Sequence, residues 1–294
     1  MLNMRKCRWI PTGRYLHTAE NKSSSISGLH NILKSDPLQK GELVILHGLF
    51  GAKQNWKSLT KAWKTQQLDA VALDLRNHGD SPWFQSHDYP SMSDDLHRWM
   101  NFHSLKTCSL LGHSMGGKVA MHYALEYPSN VDKLVVVDMA PVNSVSPGHA
   151  SLFDFYCAQM IRIQEAKLKS KTEADHLLQS SIPEPAIRQF LLTNFKKEPG
   201  QDHLTCRVNL SVIATHLSEI WKFPFHDSNR VFDKPTLFIG GSRADYIKPE
   251  HHRLIHKFFP KARIEYLDTG HWVHAEKPKE FLKLVTEFVK KSAS

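Results

Sequence analysis

The residues most able to do chemistry are Gly112-His113-Ser114-Met115-Gly116, a G-x-S-x-G pattern. The apolar run Cys108-Ser109-Leu110-Leu111 precedes it and reads as a buried parallel strand. Downstream, Val119, Tyr123 and Ala124 through Glu126 keep helical spacing until Pro128 closes the segment. A chain passing from strand to helix there must reverse tightly, and side chains at 112 and 116 would collide with the neighbouring strand and helix. Ser114 is then presented on a strained turn with its hydroxyl above the sheet. The five residues alone would suit any turn. The strand before and the helix after make Ser114 a nucleophile.

Serine at its free pKa needs a base within hydrogen-bond reach, itself oriented by an acid. In a strand-turn-helix architecture of this kind the acid follows the serine and the histidine comes last. His271, in Thr269-Gly270-His271-Trp272 after the final strand, is the one of 19 histidines that this order selects. Two aspartates end strands and could orient it: Asp138, after Leu134-Val135-Val136-Val137, and Asp245, in Ser242-Arg243-Ala244-Asp245-Tyr246. A tetrahedral intermediate also needs two backbone N–H donors. Met115, next to the nucleophile, is one; Leu49, in His47-Gly48-Leu49-Phe50-Gly51, is the other.

The elements that must position these residues alternate in type. Ile26–Leu33, Leu43–Leu46, Ala70–Asp74, Leu134–Asp138, Pro235–Gly240 and Arg263–Leu267 read as strands, the nucleophile strand aside. Helices are expected over Trp56–Trp63, Met92–Phe102 and, amphipathic, over Phe281–Val289. That alternation predicts an α/β fold with a mostly parallel doubly wound sheet and ligands at the carboxyl ends of its strands. From residue 141 to 233 the period turns helical, Lys196–Gln201 reads as an exposed loop, and no buried parallel strand appears. So long a stretch between two strands is expected to be an inserted helical cap, leaving 26–140 and 234–294 as the core. Phe153, Phe155, Met160, Phe190, Leu191, Phe195, Trp221 and Phe223 could wall an acyl pocket there, or simply fill the cap interior.

Composition bounds the rest. The net charge of +9 suggests nucleic acid until it is divided: residues 1–40 hold seven basic residues against Glu20 and Asp36. The remainder is only mildly cationic, which argues against nucleic-acid binding. The first 19 residues are acid-free, carry four basic residues and are followed by Ser23-Ser24-Ser25. With no continuous apolar stretch, residues 1–25 match a mitochondrial transit peptide, and the matrix is the expected location. Cys7, Cys108, Cys157 and Cys206 are scattered without a C-x-x-C pair, so neither a disulfide framework nor a zinc site is supported. No run approaches the length of a membrane-spanning helix.

From about residue 27 to 290 the chain resembles the α/β-hydrolase superfamily. Within it, the chain is most similar to the subfamily of α/β-hydrolase domain-containing protein 11 and related bacterial serine esterases. The likeness rests on His47–Gly51, Asp74–Ser81, Gly112–Lys118, Val137–Pro141, Arg188–Asn194, Arg207–Leu210 and Gly270–Ala275. It implies a cofactor-free serine esterase or lipase-type hydrolase acting on lipid esters such as diacylglycerols, mitochondrial in animals. In that subfamily the strand-end aspartate of Val137-Asp138 is regular and the later loop often lacks an acid, which favours Asp138 over Asp245. Two rival readings are a thioesterase or transacylase using the same residues and an idle α/β-hydrolase-fold protein that only binds partners.

Overall fold

The structure, a computed structural model, describes residues 42–143 and 147–291. It begins with β1 (Leu43–Leu46), a 3-10 turn at Lys53–Trp56, α1 (Lys57–Thr65), β2 (Ala70–Leu73) and α2 (Tyr89–Phe102). Then come β3 (Cys108–His113), α3 (Met115–Glu126) and β4 (Val131–Val137). A long excursion follows: α4 (Pro147–Glu165), α5 (Lys171–Gln179), α6 (Pro185–Leu192), β5 (Phe195–Lys197), β6 (Leu204–Cys206) and α7 (Leu210–Ile220). The chain closes with β7 (Thr236–Gly241), α8 (His252–Phe258), β8 (Ala262–Leu267), α9 (Val273–Glu276) and α10 (Pro278–Lys290). The expected strand at 26–33 and the expected leader lie outside the described residues.

Six strands form one sheet in the order β2-β1-β3-β4-β7-β8, with every pairing parallel. This is the fold the alternation predicts. Its central strands read as unbroken apolar runs because both faces are covered. Val44, Leu46, Leu110, Leu134, Val136 and Phe238 pack on one side, with Val119 and Met92 from α3 and α2. Leu43, Ile45, Leu111, Val135, Val137, Leu237 and Ile239 pack on the other, with Leu59, Trp63, Phe281 and Val285. A one-residue slip would exchange the two sets, and each fully buried side chain of this size stabilises by about 1.5–3 kcal/mol. Register is therefore fixed. All carboxyl ends share one edge, where the segments following β1, β3, β4, β7 and β8 meet.

The β4–β7 excursion is mostly helical, and one expectation within it fails. Lys196 and Lys197 are not loop but part of a short antiparallel hairpin, β5 with β6, anchored by buried Phe195, Leu204 and Cys206. Its flanks are bonded to the loops of the sheet edge. Asn194 Nδ2 donates to the carbonyl of Phe50 at 2.8 Å, and Asn209 N–H donates to the carbonyl of Asn77 at 2.9 Å. Arg207 pairs with Asp80 at 3.3 Å and donates to Gln54 at 2.7 Å.

Lys118, one turn into α3, is fully buried, and its Nζ donates to the carbonyls of Ile220, Trp221 and Lys222 at 3.3, 2.9 and 3.0 Å. These oxygens end α7, where a cation satisfies carbonyls that the helix cannot. Burial pushes the Lys118 pKa down to about 7. Replacing it by Met would leave three inward carbonyls without a donor. We expect Lys118→Met to cost on the order of 3 kcal/mol in urea denaturation, and a loss under about 1 kcal/mol would show that α7 is held by packing instead.

Candidate active site

The turn after β3 has the geometry its glycines require. Ser114 sits at φ 56°, ψ −119°, a left-handed conformation that costs a non-glycine residue of order 1–3 kcal/mol. A Cβ on Gly112 would lie 2.1 Å from the carbonyl oxygen of Gly116, and one on Gly116 would lie 2.4 Å from that of Leu46. The strain is held by neighbours: Ser114 N–H donates to the Val137 carbonyl at 3.0 Å, and its own carbonyl accepts from Lys118 N–H at 3.1 Å.

Three side chains converge from three strand ends. Ser114 Oγ lies 3.0 Å from His271 Nε2, and His271 Nδ1 lies 2.7 Å from Asp138 Oδ2. Asp138 has no exposed surface and a φ of 47°, and its other oxygen accepts from Gly241 N–H at 3.0 Å. A carboxylate facing Nδ1 fixes the tautomer, so that Nδ1 donates to Asp138 and Nε2 is left to accept the serine proton.

Asp245 is not at the imidazole, which corrects its candidacy as the orienting acid. Its side chain is 64% exposed and lies 3.9 Å from Lys248 Nζ. The next residue takes the inward place: the Tyr246 ring stacks on His271 at 4.0 Å and 26°. Asp138 follows β4, which pairs with β3 itself, whereas Asp245 follows β7, one strand further away.

Sequence reasoning missed the residues that hold this constellation. His113 Nε2–H donates to the His271 carbonyl at 2.9 Å; burial, then neighbouring His271, push its pKa down to about 3. The loop after β1 is pinned in the same way. His47 Nδ1–H donates to the Gly48 carbonyl at 2.8 Å, and its Nε2 accepts Leu75 N–H at 3.0 Å. His78 Nε2 accepts Phe50 N–H at 3.2 Å, while the Phe50 carbonyl takes Asn194. Both histidines have pKa values lowered chiefly by burial, which keeps those acceptor nitrogens free of protons. The available signal was the recurrence of histidine beside glycine in His47-Gly48 and His78-Gly79.

Gly48 and Leu49 thereby face Ser114, with a Cβ on Gly48 only 3.1 Å from that of the serine. Met115 opens α3, so its N–H is among the donors that a helix leaves unpaired. The cleft between them opens to solvent. Its lining combines the rings of Phe50, Trp56, Phe153, Tyr156, Phe190 and Trp272 with the polar side chains of His47, Asn55, His113 and His274. Of the residues proposed to line an acyl pocket, Phe153 and Phe190 do so. Met160, Leu191, Phe195 and Phe223 are buried in the core, Trp221 packs against it, and Phe155 is exposed at 36%. Among the described residues there is no cluster of three metal-ligating side chains and no helix long and apolar enough to cross a membrane.

This architecture and site define a known class. Residues 42–176 match the family model described as the alpha/beta hydrolase fold, and the chain belongs to that family. It is 40% identical over 264 residues to a Mus musculus protein named sn-1-specific diacylglycerol lipase ABHD11, covering 88% of this chain and 84% of that one. Ethanol acetyltransferase 1 of Eremothecium cymbalariae is 30% identical over 269 residues, covering 84% of this chain and 74% of its own. Among solved structures, a marine microorganism esterase superposes with a TM-score of 0.81 at 31% identity, over 87% of this chain and 98% of that one.

The neutral histidines carry a stability consequence. His87 and His113 have folded pKa values pushed down to about 3, and His122 to about 4, by burial in each case. Below their unfolded value near 6.5 the unfolded chain binds more protons, so stability is full above that pH and is lost as pH falls toward 3–4. Each histidine approaches a slope of about 1.4 kcal/mol per pH unit within that window. Urea denaturation at pH 7.5, 6 and 5 should show this decline, and a flat profile would mean that these imidazoles are already charged in the fold.

Proposed function

We propose that the protein is a serine-dependent carboxylic ester hydrolase acting on lipid-type acyl esters such as diacylglycerols through an acyl-enzyme. The observation that carries this reading is the 3.0 Å contact of Ser114 Oγ with an imidazole whose far nitrogen faces a buried carboxylate at 2.7 Å. Ser114 attacks the ester carbonyl as His271 Nε2 takes its proton. Asp138 holds the tautomer and stabilises the imidazolium that forms. The N–H groups of Leu49 and Met115 receive the oxyanion, donors worth about 3–4 kcal/mol of barrier apiece. His271 then protonates the departing alcohol, and water releases the acyl group by the same steps in reverse. In this reading 26–140 and 234–294 are the catalytic frame and 141–233 the cap that shapes acyl selection, and no cofactor is required.

Relatives named as a diacylglycerol lipase and an esterase support the hydrolase reading. The acetyltransferase relative favours a second one, in which an alcohol replaces water in the last step. Hydrolysing a short-chain ester in 1 M ethanol and quantifying ethyl ester against free acid separates them; ethyl ester in excess would favour transfer. The acid-free N-terminal residues support a mitochondrial address, and a fluorescent fusion of residues 1–25 that stays in the cytosol would remove it.

Ser114→Ala should abolish labelling by a fluorophosphonate and turnover of p-nitrophenyl butyrate. Asp138→Asn should lower kcat by roughly 10³–10⁴. Asp245→Asn should change kcat by less than about twofold, as surface substitutions far from reacting atoms do. Equal, small losses at both aspartates would overturn the assignment of Asp138.

A further inference from the structure

We propose that Asn194, on the excursion between β4 and β7, is a positioning residue for the oxyanion hole. Through the Phe50 carbonyl it aims the Leu49 N–H at the charge that develops during turnover. The inference rests on the serine hydrolase reading above, whichever ester is the substrate.

Residues 48–51 form a four-residue turn, closed by Gly51 N–H donating to the Gly48 carbonyl at 2.9 Å. Phe50 stands third in it at φ 58°, a left-handed backbone that such turns ordinarily give to glycine. Two distant side chains hold the polar groups of that residue. His78 Nε2 accepts its N–H at 3.2 Å, and Asn194 Nδ2 donates to its carbonyl at 2.8 Å. With either removed, residue 50 is free to relax toward negative φ, and the neighbouring peptide, which carries the Leu49 N–H, moves with it. Among the described residues nothing accepts that N–H, and Leu49 lines the cleft together with Ser114.

Asn194 is itself fixed. It follows α6 and has no exposed surface. Its N–H donates to the Leu191 carbonyl at 3.2 Å, and its own carbonyl accepts Arg207 N–H at 2.8 Å. The Phe50 carbonyl can only accept, so the amide must present Nδ2 to it. That leaves Oδ1 buried with no partner among the described residues, which is a cost to folding. Stability alone gives no reason to keep such a side chain; its donation to the turn beside Ser114 does. His78 belongs to the sheet edge, but Asn194 belongs to the excursion. The oxyanion hole therefore takes its final geometry only with the excursion seated.

The test measures kcat and KM for p-nitrophenyl butyrate, and inhibition by butyl trifluoromethyl ketone, in the wild-type protein and in Asn194→Leu, a substitution of similar size. Ser114 Oγ adds to the ketone carbon as His271 takes its proton, and the ketone oxygen becomes an oxyanion in the hole. Asn194→Leu should lower kcat tenfold or more with KM within threefold, because the hole acts on charge that the ground state lacks. The inhibition constant of the ketone should rise tenfold or more. Arg207→Met unties the same excursion from Asp80 and Gln54 without touching the Phe50 carbonyl, and should lose less than threefold in kcat. A smaller kcat loss or a smaller ketone effect in Asn194→Leu, a loss carried by KM, or a larger loss in Arg207→Met overturns the inference and leaves the hydrolase reading intact. Should Asn194→Leu fail to fold, Asn194→Ser is read against the same limits. Failure of both to fold makes Asn194 a structural residue and overturns the inference as well. A wild-type protein without Ser114-dependent turnover overturns both readings.

Discussion

The site depends on a carboxylate that water cannot reach. Asp138 is wholly buried, so its charge must be met inside the protein, and a buried carboxylate without partners would be neutralised or expelled. Gly241 N–H meets one oxygen and His271 Nδ1 the other. The left-handed backbone at Asp138 is tolerated because the sheet fixes both sides of it: its N–H is bonded to Ile239 of the neighbouring strand. The imidazole cannot turn without abandoning that charge, and this is what keeps Nε2 directed at Ser114.

Around that contact the protein uses uncharged histidines as backbone clamps. His113 holds the peptide of His271, His47 accepts from Leu75, and His78 accepts from Phe50. A neutral imidazole can donate at one nitrogen and accept at the other, so it can bridge two chain segments that no regular structure joins. Burial makes the arrangement self-consistent, since the desolvation that suppresses the charge also strengthens each hydrogen bond. Acid removes the acceptor nitrogens, so the geometry of the loop after β1 and the stability of the fold are governed by the same protons.

The excursion between β4 and β7 is part of the same construction. Asn194 bonds Phe50, in the loop that faces Ser114, and Lys118 bonds the end of α7 from within the helix that Ser114 begins. The cleft inherits two chemistries from this joint origin. Phe153, Tyr156 and Phe190 come from the excursion, while Asn55, Trp56, His113 and His274 come from the sheet edge.

The sequence by itself determined the α/β alternation, the parallel strands, the nucleophile turn and the histidine after the last strand. These are local facts: apolar runs covered on two faces, glycines where backbones touch, and an order along the chain that topology preserves. Residue type and chain order did not separate Asp138 from Asp245, because both end strands and differ in which strand lies beside β3; only the resemblance favoured Asp138. Side-chain direction in the turn after β7, with Tyr246 inward and Asp245 outward, is set by packing against the ring of His271. The same limit applies to His113 and Asn194, whose partners, His271 and Phe50, lie 158 and 144 positions away. Only tertiary structure brings such groups together, since a hydrogen bond across the fold leaves no periodic trace in the chain.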